Sequence, residues 1–184
     1  MEYLQLPPRR PGSVGALLDE YWLASNHFLN ALHSISEQDL QTIVDPRTED
    51  ENCRSIVTIV RHVVESGYVY ADYIRDVFRL ERASVALPQL TSTTIQQLLY
   101  KMLQYTDATL DGRWEMTDEE IMETEIRTRW GSVYDLEQML EHAIVHVLRH
   151  RRQIEYFRRL LADKSQESST SHARINSKPR AEIS

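Results

Sequence analysis

The sequence predicts an all-α protein, a bundle of four long helices with one irregular segment before the last of them. Five glycines and six prolines among 184 residues are too few for a turn-rich sandwich or barrel. Apolar residues also recur at three- and four-residue spacing along four stretches, which is the period of a helix with one buried face. Four such helices joined by modest loops form a four-helix bundle.

The chain divides by composition into a single domain with a segment at either end. Residues 1–12 are rich in proline and are expected to form an extended lead-in. The predicted bundle covers residues 13–163. Residues 164–184 are rich in Ser, Lys, Arg and Glu with almost nothing to bury, so we expect a disordered tail.

The first three long helices follow from capping residues and periodicity. Ser13 can cap a first helix that runs to about Ser34, and a short helical turn is expected near Gln38–Ile43. The second long helix is predicted from about Asp50 to Leu80, with its apolar residues in one stripe. A hydroxyl of the run Thr91–Thr94 can cap the third, which is expected to end near Asp111.

Residues 112–131 are the least regular part of the bundle sequence. Glu123–Thr128 alternates in polarity, which favours a short hairpin or a loop over a helix. Ser132 or Asp135 can start the fourth long helix, which is predicted to end near Leu161.

Charge, cysteine content and hydropathy exclude several classes of protein. A formal net charge of -7 argues against a nucleic-acid-binding protein, because phosphate neutralisation needs a basic face. No segment approaches 18 uncharged apolar residues, so no membrane association is expected. Cys53 is the single cysteine, which excludes an intrachain disulfide and favours a reducing compartment. We therefore expect a cytoplasmic protein.

Three histidines in the last helix, His142, His146 and His150, lie four residues apart. At about 100° per residue, His150 lies on the centre line of the apolar stripe. By the same count His146 lies roughly 40° from it and His142 roughly 80°. His142 and His150 are separated by about 12 Å along the axis, too far to bind one ion. Neighbours four apart suit a shared metal, and the more inward pair is His146 and His150.

Histidine spacing alone leaves two interpretations open. A histidine on a helix is more often a satisfied polar residue than a ligand, yet two stacked on the core line each need partners for both ring nitrogens. A metal would need a further ligand, and His62 of the second helix is the best candidate. It lies on the flank of its stripe, roughly 100° from Val63. His27 is the reserve candidate.

Two motifs of this chain resemble those of the DinB/YfiT-like family. The run from His142 to Ile154 is similar to its last-helix signature, and Ile59–Val63 to its second-helix histidine segment. The resemblance covers roughly residues 13–162 and implies a DinB-like four-helix bundle. It implies a nickel or zinc ion held by His62, His146 and His150. Arg152 stands where the family has glycine.

Characterised members of that family include thiol S-transferases that use bacillithiol or mycothiol, and metal-dependent hydrolases. The resemblance therefore implies a metal-dependent enzyme with a small electrophilic substrate and a low-molecular-weight thiol as a further partner. Three histidine ligands would leave a coordination position open, as in catalytic sites. No general base is assigned. The alternative is a non-catalytic metal-binding or dimerisation bundle.

A homodimer is also expected, because the last helix is apolar nearly all round. Ile144, Val145 and Leu148 lie on the side opposite the core stripe, and a helix apolar on both sides is buried on both. Alternatively, the N-terminal segment or residues 112–131 cover these side chains.

Overall fold

A computed structural model describes the backbone of residues 4–176 and the side chains of residues 4–166. Four long helices and two short ones make up this part of the chain, confirming the all-α bundle. The helices are α1 (Gly12–Ala31), α2 (Glu37–Gln41), α3 (Ile56–Val77), α4 (Ile95–Thr109), α5 (Asp118–Glu123) and α6 (Leu136–Asn176). A two-stranded antiparallel hairpin, β1 (Ile126–Arg127) and β2 (Val133–Tyr134), precedes α6.

One apolar core joins the four long helices. Helix α1 packs mainly against α6, while α3 packs against both α4 and α6. Fully buried side chains come from each of them, among them Leu18 and Phe28 of α1, Ile59 of α3 and Met102 of α4. Burying a side chain of this size contributes about 1.5–3 kcal/mol, so the core fixes how α3 lies against α6.

The N-terminal segment is tied to α1 although it has no regular secondary structure. Leu4 is buried, and its backbone N–H donates to Asn26 Oδ1 over 2.7 Å. The Arg10 guanidinium pairs with Asp19 and with Asp107, each over 2.6 Å. Residues 4–10 are thus part of the folded unit, and residues 1–3 of the predicted lead-in lie outside the described residues.

The second long helix begins about six residues later than predicted, and the N-cap of the first lies two residues before the predicted Ser13. Asp50 does not begin the second long helix but caps a 3-10 turn, Glu51–Cys53, by accepting from Asn52 N–H. Helix α3 begins at Ile56, where Ser55 and Thr58 bond to each other's backbone N–H groups in a capping box. Ser13 lies inside α1, which Pro11 precedes as N-cap without a side-chain hydrogen bond.

The hairpin before the last helix is confirmed, but helix α5 was not predicted. Thr117 accepts from the backbone N–H of Glu120, whose side chain accepts from the backbone N–H of Thr117. Three acidic residues in the first turn add a favourable interaction with the helix dipole. A reciprocal cap therefore stabilises a helix too short to show an apolar period.

Helix α6 begins after Asp135 and extends beyond its predicted end. Asp135 Oδ1 accepts from Gln138 N–H over 2.8 Å, which confirms one of the two predicted caps. The helix continues to Asn176 instead of ending near Leu161, so residues 164–176 are helical. No glycine or proline interrupts this stretch, although its serines and threonine favour helix less than its Lys, Gln, Glu, Ala and Arg residues do. Residues 177–184 of the predicted tail lie outside the described residues.

Candidate metal centre

Three histidine side chains from α3 and α6 converge at the contact between these helices. His146 and His150 lie one turn apart on α6, and their ring centroids are 4.5 Å apart. His62 of α3 faces both, with ring centroids 4.9 Å from His146 and 5.1 Å from His150. The Nε2 atoms of His62 and His146 are 3.0 Å apart. The flank position predicted for His62 is thus the face of α3 that meets α6.

The separation of these nitrogens fits a shared divalent ion. One donor atom from each of the three histidines lies within 4.8 Å of the others. Imidazole nitrogens bind zinc at about 2.0–2.1 Å, so two ligands of one ion are at most about 4.2 Å apart. The 4.8 Å spread exceeds that limit by only about 0.6 Å, a difference that small side-chain rotations would remove. Because imidazole is a good ligand for zinc and nickel, the residues present fit the expected ion.

Burial keeps the three imidazoles neutral, the form in which they bind metals. Burial, the largest cause, and neighbouring positive charge together lower the pKa of His146 to about 3 and the pKa of His150 to about 4. Burial also lowers the pKa of His62, against the opposing effect of Asp50. Protons therefore compete weakly with a metal for these nitrogens near neutral pH.

Gln153 fixes the tautomer of His150, which is only 2% exposed. The Nδ1–H of His150 donates to Gln153 Oε1 over 3.0 Å. Cys53 Sγ lies 3.6 Å from the same oxygen and 3.3 Å from Asp50 Oδ2. With its proton on Nδ1, His150 offers the Nε2 lone pair to an ion, the arrangement that outer partners of metal-bound histidines impose.

A cleft of about 540 Å³ opens next to the three histidines. Two of these histidines, His62 and His146, line the cleft together with aromatic and charged side chains of α3, α6 and the hairpin turn. The lining residues are Asn52, His62, Glu65, Ser66, Val69, Tyr70, Arg129, Trp130, His142 and His146. An ion bound at the histidines would therefore be reachable by a small molecule.

The sequence itself matches a known family model, described as the DinB superfamily, over residues 24–154. The chain belongs to the DinB superfamily. This match includes all three histidines and confirms the family inferred from the two motifs. No curated protein matches the chain.

A solved structure shows that the architecture of this DinB-superfamily chain recurs elsewhere. It is described as the crystal structure of the conserved protein of locus from Enterococcus faecalis. The two chains superpose with a TM-score of 0.57 at 15% identity, covering 83% of this chain and 99% of the other. At that identity the likeness concerns the fold alone.

Two other histidines, His142 and the reserve candidate His27, lie outside the central cluster. His142 lines the cleft with its ring centroid 6.4 Å from that of His146, and it stacks on Trp130 at 5.9 Å. His27, the reserve candidate, is exposed on α1. Arg152, which replaces the glycine of the DinB/YfiT-like signature, is also exposed.

Several residues around the centre were not predicted to contribute to it. Gln153 follows His150 by three residues on the same helix face, a spacing that could have indicated their hydrogen bond. Arg129 and Trp130 come from the hairpin turn and Asn52 from the 3-10 turn. Their positions depend on how those turns pack on α3 and α6, and nothing in the local sequence encodes that.

Proposed function

We propose that this DinB-superfamily protein is a divalent-metal-dependent enzyme that holds nickel or zinc through His62, His146 and His150. It would transfer a low-molecular-weight thiol to a small electrophilic substrate, or hydrolyse that substrate. The observation that supports an enzyme over a sealed structural site is the cleft of about 540 Å³, which His62 and His146 line. A structural zinc site usually has four protein ligands and no such opening.

When bound by neutral ligands, a divalent ion keeps its full charge and lowers the pKa of a thiol or water molecule. The chain would prepare the site for this chemistry. Burial keeps His146 and His150 deprotonated, and Gln153 orients the ring of His150. Burial also raises the pKa of Tyr70 to about 12, so the phenol lining the cleft stays protonated at neutral pH. Its hydroxyl can then donate a hydrogen bond to a substrate oxygen.

Turnover by the metal-loaded protein tests this function. The chelated protein is reloaded with nickel or zinc and assayed with 1-chloro-2,4-dinitrobenzene plus small thiols, including bacillithiol and mycothiol, and with p-nitrophenyl acetate. We expect metal-dependent product formation that His62→Ala abolishes and His27→Ala retains, since His27 is exposed on α1. Metal binding without turnover of either kind of substrate would contradict the proposed enzymatic activity and favour a non-catalytic metal-binding module.

We also propose a homodimer that forms through the outer face of α6. Val145 is 61% exposed, which an apolar contact with a second copy would explain. Ile144 and Leu148 are half-buried and pack against the core, so they offer less surface than the sequence predicted. Sedimentation velocity at micromolar protein should show a dimer that Val145→Lys dissociates. A monomer at that concentration would contradict the proposal.

A further inference from the structure

The cleft beside the three histidines has an aromatic wall built around Trp130. This indole is 43% exposed, although it lies among other rings. It stacks on His142 with an interplanar angle of 25° and meets the edges of Tyr70 and Tyr73 at centroid distances of 6.3 and 5.7 Å. A large aromatic side chain that stays exposed in a cleft is typical of ligand-binding surfaces.

The hairpin turn holds Trp130 in place before any ligand arrives. Thr128 bonds to Ser132 through backbone and side chain, and Gly131 closes the turn with a φ of +88°. The backbone N–H of Arg129 donates to the hydroxyl oxygen of Tyr73 over 3.1 Å, which ties the turn to α3. A ring held in this way loses little conformational entropy when it stacks on a ligand.

Two arginines, Arg129 and Arg149, lie at or near the cleft, although the whole chain carries a net charge of -7. Arg129 lines the cleft, and Arg149 lies near enough to lower the pKa of His62, His146 and His150, although Asp50 and Glu65 have larger opposing effects on His62. Among the residues with described side chains, neither arginine forms an ion pair. Glu65, the acidic residue of the lining, pairs with Arg61 over 3.4 Å. The cleft therefore presents an unneutralised guanidinium beside a flat aromatic surface.

We propose that this cleft selects small organic anions with a planar, conjugated portion. The planar portion stacks on Trp130 and the wall it forms with His142, and the anionic group pairs with the guanidinium of Arg129. This inference rests on the proposed function in that the ligand would be the substrate at the same site. A carboxylate suits the arginine best, because a guanidinium can bind it through two hydrogen bonds.

Binding of a carboxylate probe to the full-length protein tests the inference without relying on turnover. The probe is naphthalene-2-carboxylate, and naphthalene-2-carboxamide is its neutral counterpart. The three tryptophans each give one indole N–H signal in a ¹H–¹⁵N spectrum. We expect the carboxylate to shift the Trp130 signal, while the signals of Trp22 and Trp114, which do not line this cleft, stay in place.

Two matched arginine variants separate recognition by Arg129 from a general effect of charge. Arg129→Gln removes the charge and one of the two hydrogen bonds, and should weaken binding of the carboxylate about tenfold. Arg127→Gln also removes one positive charge, from an exposed side chain two residues earlier that pairs with Glu125, and should leave the affinity within about twofold. Binding of the carboxamide should be weaker than that of the carboxylate and should not respond to Arg129→Gln.

The titrations are run on chelated and on zinc-loaded protein, so this inference and the metal centre can fail separately. A Trp130 shift that depends on Arg129 in the chelated protein supports the inference even if the protein shows no turnover. Equal effects of the two arginine variants, or no Trp130 shift, would overturn it. The inference would also be overturned if the carboxylate no longer bound after chelation and bound the Arg129→Gln variant unchanged, because the metal would then hold the anion. Unchanged Trp22 and Trp114 signals show that each variant is folded.

Discussion

The Nδ1–H of His150 donates to the side-chain oxygen of Gln153 over 3.0 Å, one helical turn away on the buried side of α6. Removing this acceptor should weaken the metal site without touching a ligand. Gln153→Ala is expected to lower zinc affinity about 10- to 100-fold, the usual cost of losing such a partner. Competition titration with a chromogenic chelator measures the change.

Two variants on the same helix serve as controls for Gln153→Ala. Gln153→Glu keeps an acceptor for the Nδ1–H and should retain affinity much closer to that of the natural chain. Arg152→Ala alters an exposed neighbour and should have no effect. If Gln153→Ala binds zinc as tightly as the natural chain, the hydrogen bond does not orient His150.

Gly67 allows α3 and α4 to approach closely. A Cβ at this position would lie 1.8 Å from the sulfur of Met102 and 2.9 Å from the hydroxyl oxygen of Tyr21. Both side chains are buried, and the Tyr21 hydroxyl donates to Met102 Sδ over 3.3 Å, so neither moves freely. Gly67→Ala should therefore lower the free energy of unfolding by about 1 kcal/mol, since overpacking outweighs the gain in helix propensity.

Truncating Met102 gives the control for this steric explanation. In a Met102→Ala background the two closest contacts of a Cβ at residue 67 are gone and only the Tyr21 hydroxyl remains close, so Gly67→Ala should be less destabilising there. Chemical denaturation of the four variants in the cycle measures both effects. Stabilisation by Gly67→Ala in the natural background would show that the contact between α3 and α4 adapts.

The fold was more predictable from the sequence than the metal centre. Apolar periodicity is encoded by neighbouring residues, whereas the contact between two helices is not. Four helical stripes and the spacing of His146 and His150 follow directly from residue order. The angular position of His62 on its helix also follows from residue order. Whether that side of α3 faces α6, however, depends on how the whole core packs. Trp130 shows the limit most plainly, since its ring reaches the cleft only through the way the hairpin docks on Tyr73.

Errors at the ends of elements have local explanations. The Thr117–Glu120 capping box was present in the sequence, but its helix is too short to show an apolar period. Helix α6 continues past Leu161 to Asn176, since no glycine or proline interrupts residues 162–176. The end of the apolar pattern near Leu161 shows where the helix stops packing against the core, and the helix itself continues further.

Stability of the metal-free protein should fall as the pH is lowered from about 6.5, the ordinary histidine value. Burial and neighbouring charge, including that of His62 and Arg149, lower the pKa of His146 to about 3 and that of His150 to about 4, against the opposing effect of Asp50 on His150. The unfolded chain therefore binds more protons than the folded chain between these values and about 6.5. Urea unfolding of chelated protein across this range should show a free energy of unfolding that decreases steadily.

Replacing the two histidines of α6 provides the control for this pH effect. His146→Gln/His150→Gln should show a smaller decrease over the same range, because two of the groups that bind protons on unfolding are gone. His27→Gln, which alters an exposed histidine, should keep the full decrease. Equal pH dependence in both variants and the natural chain would mean that the buried imidazoles do not set it.

Metal content of the purified protein tests the three-histidine centre most directly. Inductively coupled plasma mass spectrometry is applied to the natural chain, to His146→Ala/His150→Ala and to His27→Ala as the matched histidine control. We expect nearly one nickel or zinc ion per chain in the natural protein and in His27→Ala, and almost none in the double variant. A natural protein that stays empty after incubation with both metals, or a double variant that binds as much as the natural chain, would contradict the proposed centre.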